Sequence, residues 1–283
     1  MSEWFEETLH DDMRQRLKMD RVLYDSKTEH QRIVLFENAL LGRVLTLDGV
    51  VQTTEADEFV YHEMLTHLPI LAHGKVRQVL IVGGGDGGML EEALKHKSLE
   101  RATLVEIDPQ VIEFSRKHLG KICGGAFDDP RTEVVIADGV DYVANCEARF
   151  DLIITDSTDP IGPGEVLFTE RYYDACKRCL APGGILVTQN GVPFVQGEEL
   201  TGTLRILRKL FADASCYLAT VPTYAGGPMA FGWASDDAAL RQAPLELLRE
   251  RYAAAGIATR YYTPEVHQGA FGLPGYVAEL IED

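Results

Sequence analysis

Hydrophobic residues follow two rhythms along the chain, and the change between them falls near residue 76. Before it, short runs of β-branched and aromatic residues alternate with turn residues, among them the hairpin-type pair Asp48-Gly49. After it, buried-strand runs alternate with helical segments. The second rhythm predicts βαβ crossovers and a mostly parallel sheet that helices cover on both faces. The fold class is therefore α/β, with a small all-β region at the N-terminus.

The predicted elements can be placed along the chain. Strands are expected at residues 22–24, 32–36, 42–47 and 50–53, and then at 79–82, 101–105, 133–136, 151–155, 184–188 and 215–220. A helix over residues 55–68, with Thr54 as its N-cap, joins the two parts. A last strand at 229–234 follows a glycine-rich turn closely enough to pair antiparallel with its predecessor. We expect an N-terminal β-strand domain over residues 1–66 and an α/β domain over residues 67–283.

Composition bounds the class of protein. With 46% hydrophobic and 25% charged residues, the chain has the values of an ordinary soluble domain. No apolar run approaches the ~20 residues of a membrane span, and the acidic N-terminus lacks the basic and apolar regions of a signal peptide. The five cysteines are an odd number at irregular spacings, which favours reduced thiols over a disulfide framework. These features predict a soluble, cytoplasmic protein without a membrane partner.

The chain is strongly acidic. Its formal net charge is −17, from 27 Lys and Arg residues and 44 Asp and Glu residues. Such a charge repels nucleic acid and attracts cations, so no nucleic-acid partner is expected. Since many soluble proteins are simply acidic, the charge agrees with a cationic substrate without establishing one.

Candidate chemistry is concentrated in the segment Asp156-Ser157-Thr158-Asp159-Pro160-Ile161-Gly162-Pro163-Gly164. It directly follows the strand run at 151–155 and holds two carboxylates three residues apart. Two prolines and two glycines shape it as a rigid turn. Because ligands of open α/β sheets bind at the carboxyl ends of the strands, this pair of acids predicts a site for a positively charged ligand.

A glycine loop, Gly83-Gly84-Gly85-Asp86-Gly87-Gly88, joins the first strand of the parallel sheet to its helix. It contains G-x-G-x-x-G, and Glu106 after the next strand matches the acid that binds a ribose diol in dinucleotide sites. Asp86 argues against a dinucleotide, because its carboxylate would lie against the pyrophosphate. An adenosine ligand with a cationic tail fits better, with Glu106 on the ribose and Asp86 facing the positive charge. The alternative is a turn that serves only close helix–strand packing.

Asp138-Gly139 follows the third predicted strand of the parallel sheet, at residues 133–136. The Asp138 carboxylate can accept a hydrogen bond from an adenine amino group, or it can simply cap the following helix, and the local sequence does not separate the two. The acids at the neighbouring strand ends, Asp86 and Glu106, favour the adenine contact.

Two further patterns predict no chemistry. Cys176-Lys177-Arg178-Cys179 has C-x-x-C spacing, but it lies near the end of a helix capped by Thr169, whereas a redox thiol needs the helix N-terminus. We expect packing residues there. His62, His67 and His73 are five and six residues apart, which does not place them on one helical face, so no metal site is predicted.

Aromatic residues complete the list of candidates. Tyr61-His62 and Tyr224 can contact the methylenes of a diamine and hold an ammonium group by cation–π attraction. From local sequence alone, each is more simply interpreted as a core or surface residue.

Three segments together resemble the spermidine synthases of the polyamine aminopropyltransferase family, and the similarity extends over nearly the whole chain. Residues 47–63 are similar to the family's signature segment, residues 82–87 to its glycine loop and residues 156–163 to its active-site loop. The resemblance implies a methyltransferase-like Rossmann domain with a mostly parallel, seven-stranded sheet, joined to a small N-terminal all-β domain.

The resemblance also implies a reaction and a set of site residues. The family transfers the aminopropyl group of decarboxylated S-adenosylmethionine to putrescine and forms spermidine and 5'-methylthioadenosine. Asp156 would be the proton acceptor for the attacking amine. Putrescine would contact Tyr61, His62, Asp156, Asp159, Tyr224 and Gln52. The donor would contact Gln31, Asp86, Glu106, Asp138, Gly139 and Pro163. The donor is a co-substrate, so no separate cofactor is expected, and the implied assembly is a homodimer or homotetramer.

Alternatives remain at this stage. An S-adenosylmethionine methyltransferase acting on an amine would keep the fold, but the carboxylate of its donor would lie close to Asp86 and Asp156. A non-catalytic polyamine-binding protein should lack some of the acids, and the sequence retains all of them. Within the family, cadaverine, spermidine and agmatine remain possible acceptors, because Ala225 stands where larger residues are usual.

Overall fold

The computed structural model describes residues 3–157 and 162–282, apart from the side chains of residues 162 and 163. The N-terminal part is built from strands β1 (Glu3–Glu6), β2 (Arg16–Met19), β3 (Arg21–Lys27), β4 (Arg32–Asn38), β5 (Gly42–Leu47) and β6 (Val50–Thr54). Strands β1 and β2 form a two-stranded antiparallel sheet, and β3 to β6 form a four-stranded antiparallel sheet in chain order. The all-β character predicted for this part is confirmed.

A seven-stranded sheet forms the centre of the remaining chain. Its strands are β7 (Gln78–Gly83), β8 (Arg101–Glu106), β9 (Thr132–Ile136), β10 (Phe150–Asp156), β11 (Leu180–Gln189), β12 (Asp213–Ala219) and β13 (Met229–Ser235). Their order across the sheet is β12-β13-β11-β10-β7-β8-β9. Strand β13 lies antiparallel between β11 and β12, and the other neighbours are parallel. The predicted mostly parallel sheet and its antiparallel last strand are both confirmed.

Helices cover both faces of this sheet. They are α1 (Glu58–His73), α2 (Gly88–Leu94), α3 (Pro109–His118), α4 (Gly120–Cys123), α5 (Gly139–Asn145), α6 (Glu170–Cys179), α7 (Pro193–Leu210), α8 (Leu245–Ala255), α9 (Pro264–Ala270) and α10 (Gly275–Glu282). Alternate residues of β7 face opposite layers, since Ile81 packs in the cluster that contains α1 and α2, and Leu80 in the one that contains α6 and α7. A strand buried on both faces needs a continuous apolar run, which is why the sequence pattern located it.

Helix α1 differs from the helix predicted over residues 55–68. Thr54 ends β6 instead of capping the helix, and its hydroxyl donates to Asp57, which holds the N-cap position. The helix continues through Pro69 to His73 and stops at Gly74, whose φ is 76°. A proline in a helix interior costs about 3 kcal/mol, but α1 is buried around nearly its whole circumference, and this packing outweighs the lost hydrogen bond. The helix also spans residues 66/67, so the domain boundary placed there stays a prediction.

The N-terminal sheet packs against the α/β part through one apolar cluster. Ile33, Leu35 and Leu45 of the sheet contact a surface formed by α3, α4 and the residue between them, including Phe114 and Ile122. This contact holds β6 and Gln31, the residue before β4, beside the carboxyl ends of the parallel strands in the seven-stranded sheet. In the part of the chain that the structure describes, no helix combines the length and apolar character needed to cross a membrane.

Candidate active site

A cavity of about 200 Å³ opens at the carboxyl ends of β7, β8 and β10. Parallel sheets place their ligands at this edge. Eight of the residues predicted for the site line the cavity: Gln31, Gln52, Tyr61, His62, Asp86, Glu106, Asp156 and Tyr224. The folded chain therefore brings together residues that span almost two hundred positions of sequence.

The other four predicted residues do not line the cavity as described. Asp159 lies outside the described residues, and so does the side chain of Pro163. Asp138 and Gly139 stand at the start of α5, where the Asp138 carboxylate accepts hydrogen bonds from the backbone N–H groups of Val140 (2.7 Å) and Asp141 (3.2 Å). Asp138 thus makes the capping contact, and its contact with an adenine stays a prediction.

The glycine loop and Asp156 meet across two adjacent strands. Gly83 ends β7 and stands opposite Asp156, which ends β10. The φ angle of Gly83 is 83°, and a Cβ built on it would overlap the carbonyl oxygen of Asp156. Only glycine permits both the backbone conformation and this approach. The first glycine of the loop therefore places Asp156 directly beside the loop that carries Asp86.

The protonation of Asp156 is shifted by its surroundings. Desolvation in the cavity wall and the negative charge of Asp86 raise the pKa of Asp156 from its ordinary 3.8 to about 7. A hydrogen bond from the Tyr61 hydroxyl (2.5 Å) and the positive charge of His62 act in the opposite direction. An acid poised near neutral pH is suited to accept a proton during a reaction.

His62 lies between two carboxylates. Its Nδ1 is 2.7 Å from Glu58 Oε2, and its Nε2 is 3.3 Å from Asp86 Oδ2. Burial alone would lower the pKa of His62, but the charges and hydrogen bonds of Asp86 and Glu58 outweigh it and hold that pKa well above its ordinary value. The two carboxylates therefore favour the cationic form of His62.

Glu106 and Tyr224 line two further parts of the cavity wall. Glu106 is 9% exposed, and its Oε1 accepts a hydrogen bond from the Asp108 N–H (2.9 Å). Burial raises the pKa of Glu106, while bonds from backbone N–H groups oppose the rise. The Tyr224 hydroxyl donates to the carbonyl of Gln52 (2.5 Å), and its ring lies 5.9 Å from that of Tyr61. These contacts fix the aromatic wall against the N-terminal sheet.

Some residues that line the cavity were not predicted from the sequence. Glu7 reaches the cavity from the segment after β1, where its Oε1 accepts a hydrogen bond from the Val51 N–H (2.8 Å). Gln189 ends β11, and its Oε1 accepts from the Gly191 N–H (2.9 Å). The position of Gln189 at a strand's carboxyl end was an available signal. Nothing in the short acidic segment around Glu7 predicts that it folds over the sheet edge.

Among the side chains that line the cavity, carboxylates outnumber the two histidines, His10 and His62. Four carboxylates line it, from Glu7, Asp86, Glu106 and Asp156. Among the described lining residues there is no Lys or Arg. A cleft with walls of this kind concentrates cations and repels anions.

Comparison with known proteins decides the family. Residues 58–243 match the spermine/spermidine synthase domain, and residues 3–55 match the spermidine synthase tetramerisation domain. The chain belongs to the spermine/spermidine synthase family. It is 58% identical over 277 residues to the polyamine aminopropyltransferase of Ruegeria sp. (strain TM1040), which covers 98% of both chains. It is 59% identical to polyamine aminopropyltransferase 1 of Pseudomonas aeruginosa, over 98% of this chain and 97% of that one.

Solved structures of spermidine synthases share the fold of this family member. One, in complex with the transition state analogue AdoDATO, superposes with a TM-score of 0.94 at 41% identity, over 99% of this chain and 95% of that one. The spermidine synthase from Thermotoga maritima gives a TM-score of 0.91 at 39% identity, over 99% and 94%. The predicted family and methyltransferase-like fold are confirmed, and the chain is an aminopropyltransferase.

The cysteines of this aminopropyltransferase belong to its packing. Cys176 and Cys179 are buried free thiols at the end of α6, which the Thr169 side chain caps at the other end. Burial raises the pKa of Cys179 to about 11, so its thiol stays protonated. Within the described residues, no group of three or more His, Cys, Asp or Glu side chains is arranged to hold a metal ion.

Proposed function

We propose that the chain transfers the aminopropyl group of decarboxylated S-adenosylmethionine to putrescine, giving spermidine and 5'-methylthioadenosine. The observation that carries this proposal is the set of four lining carboxylates, unaccompanied by Lys or Arg among the described lining residues. Both substrates are cations: a sulfonium with an ammonium tail and a diammonium. Anionic walls attract both of them, and they disfavour a donor that retains the methionine carboxylate.

The donor would lie along the glycine loop. Glu106 would accept hydrogen bonds from the ribose hydroxyls, and Asp86 would receive the ammonium of the aminopropyl tail. Gln31 lines the same cavity from the N-terminal part. Asp138, Gly139 and Pro163 are proposed at the nucleobase on the strength of the family motif.

The acceptor would lie between Tyr61, Tyr224 and Asp156, with Asp159, His62 and Gln52 nearby. In the proposed reaction the amine nitrogen attacks the carbon next to the sulfonium, the new N–C bond forms as the C–S bond breaks, and the electron pair stays on sulfur. Because the sulfonium already activates the carbon, the chain must mainly align the substrates and supply a neutral amine.

Proton transfer from the amine is the step for which Asp156 is suited. Alkyl ammonium groups have pKa values near that of Lys, ~10.4, so transfer to an ordinary Asp would cost roughly 9 kcal/mol. With the pKa of Asp156 at about 7, the cost falls to about 5 kcal/mol. The bound ammonium opposes part of this change, since it favours the ionised carboxylate. Asp156 Oδ1 receives the Tyr61 hydroxyl, so Oδ2 is the atom proposed to face the amine.

A product assay tests this function. The purified chain is incubated with decarboxylated S-adenosylmethionine and, separately, with putrescine, cadaverine, spermidine or agmatine, and the products are separated and weighed by mass spectrometry. We expect spermidine from putrescine as the main product and no transfer from S-adenosylmethionine. Methyl transfer from S-adenosylmethionine, or preference for a longer acceptor, would contradict the proposal.

Replacing Glu106 by Gln should weaken binding of 5'-methylthioadenosine by about tenfold or more, because a hydrogen bond to a charged group contributes roughly 1.5–3 kcal/mol. The chemical step at saturating donor should change much less. Calorimetric titration measures the affinity, and Glu100→Gln is a matched control, since Glu100 only pairs with Arg77 on the surface. Unchanged affinity in Glu106→Gln would remove Glu106 from the ribose.

Assembly and location are also proposed. The match of residues 3–55 to the tetramerisation domain supports a homodimer or homotetramer. All five cysteines are free thiols, which supports the expected cytoplasmic location. The donor is consumed as a co-substrate, and no further cofactor is proposed.

A further inference from the structure

Three side chains, of which His62 is buried and the other two are largely shielded from solvent, connect α1 to the glycine loop. Glu58, in the first turn of α1, contacts His62 Nδ1, and His62 Nε2 contacts Asp86. The side chains are 14%, 2% and 13% exposed, respectively. A neutral imidazole has one N–H donor and can satisfy only one carboxylate. Because a carboxylate faces each ring nitrogen, this arrangement requires the doubly protonated ring.

The residues around His62 hold its ring in one position. The ring packs directly on Gly88, where a Cβ would overlap it, and it meets the Tyr61 ring edge-on at 5.5 Å. The charged groups that face it are Glu58 from its own helix, Asp86 from the glycine loop and Asp156 from the end of β10. Glu91 of α2 and its ion-pair partner Lys95 lie further from the His62 ring. Glu91 interacts electrostatically with Glu58.

Asp86 is held by two donors. Its Oδ1 accepts the N–H of Gly88 (2.9 Å), and its Oδ2 faces His62. We propose that Glu58 is a positioning residue, which keeps His62 as an imidazolium so that its Nε2–H holds the Asp86 carboxylate turned to the donor's aminopropyl ammonium. This inference rests on the proposed function, because it assigns Asp86 to that ammonium. Glu58 itself acts only through His62.

The variant Glu58→Gln removes the negative charge of the side chain and keeps its shape. A Gln amide can donate to Nδ1, so a neutral imidazole can then satisfy both of its neighbours. We expect His62 of the ligand-free variant to lose its proton at a lower pH than wild-type His62, whose pKa the two carboxylates hold well above its ordinary value. NMR of labelled histidine rings measures this, and His62→Gln identifies the signal.

Two ligands show whether the charge matters for binding. Decarboxylated S-adenosylmethionine carries the aminopropyl ammonium, and 5'-methylthioadenosine lacks it. At a pH where NMR shows His62 neutral in Glu58→Gln and charged in wild type, affinity of the variant for the first should be about tenfold lower than that of wild type, while affinity for the second should match wild type. Glu58→Asp should keep most of the wild-type behaviour. Glu91→Gln, a matched loss of a nearby carboxylate, should change neither ligand's affinity.

The results of these experiments test the role of Glu58 and the proposed function separately. The same titration midpoint for His62 in Glu58→Gln and in wild type, or an equal loss of affinity for both ligands, would overturn the inference. A wild-type chain that does not bind the decarboxylated donor would overturn the proposed function, and the titration of His62 would still decide whether Glu58 holds its proton.

Discussion

Replacing Asp156 by Asn should lower kcat by about 10²–10⁴-fold, the usual contribution of a positioned proton acceptor. Asn keeps the shape of the side chain and can still receive the Tyr61 hydroxyl, but its amide cannot accept the proton of the amine. Binding of 5'-methylthioadenosine should stay close to wild type, because that product lacks the aliphatic amine proposed to contact Asp156. Steady-state kinetics with putrescine and calorimetry with the product give the two quantities.

The pH profile provides an independent readout of the same residue. The raised pKa of Asp156 means that the carboxyl keeps its proton up to about pH 7, so kcat/KM for putrescine should fall as the pH drops through that value. This limb should be missing from the residual activity of Asp156→Asn. Asp174→Asn, which removes only a surface ion pair with Arg178, serves as the control. Turnover near wild type in Asp156→Asn would take Asp156 out of the chemistry.

Most of the central sheet was predictable because β7, β8, β10 and β13 are buried on both faces. A strand such as β7 then becomes an uninterrupted apolar run that glycine or polar residues bound. The strands β1 and β2 lack such a signal, since each has four residues and no buried position. The bounds of α1 were wrong for a different reason: local rules stop a helix before Pro69, whereas packing of the folded chain carries it past.

The acids of the site were predictable from position, and their protonation was not. Asp86, Glu106 and Asp156 each follow a predicted strand, so topology alone brings them to one edge. The pKa of Asp156 depends on its burial and on the charge of Asp86, opposed by Tyr61 and His62, and these surroundings arise only when α1 packs beside β10. The aromatic residues of α1 were therefore assigned through family resemblance.

Replacing Gly83 by Ala should lower the free energy of unfolding by about 2–5 kcal/mol and remove activity in the molecules that still fold. Part of the loss is backbone strain, since an Ala side chain disfavours a φ of 83°. The larger part is steric, because the new Cβ would overlap the Asp156 carbonyl. Strand β7 is hydrogen-bonded to β10 on one side and to β8 on the other, so neither strand can shift to make room without breaking the ladder.

The variant Gly256→Ala measures the backbone strain of a left-handed residue without a steric overlap of its Cβ. Gly256 ends α8 with a φ of 61°, and a Cβ there would meet nothing within 4 Å, so this variant should lose only the roughly 1–2 kcal/mol of left-handed backbone strain. Denaturant titrations followed by circular dichroism compare the two variants. Equal midpoints would contradict the close approach of Gly83 to Asp156. A much lower midpoint for Gly83→Ala would show that the first glycine of the loop is required because the backbone of Asp156 lies against it.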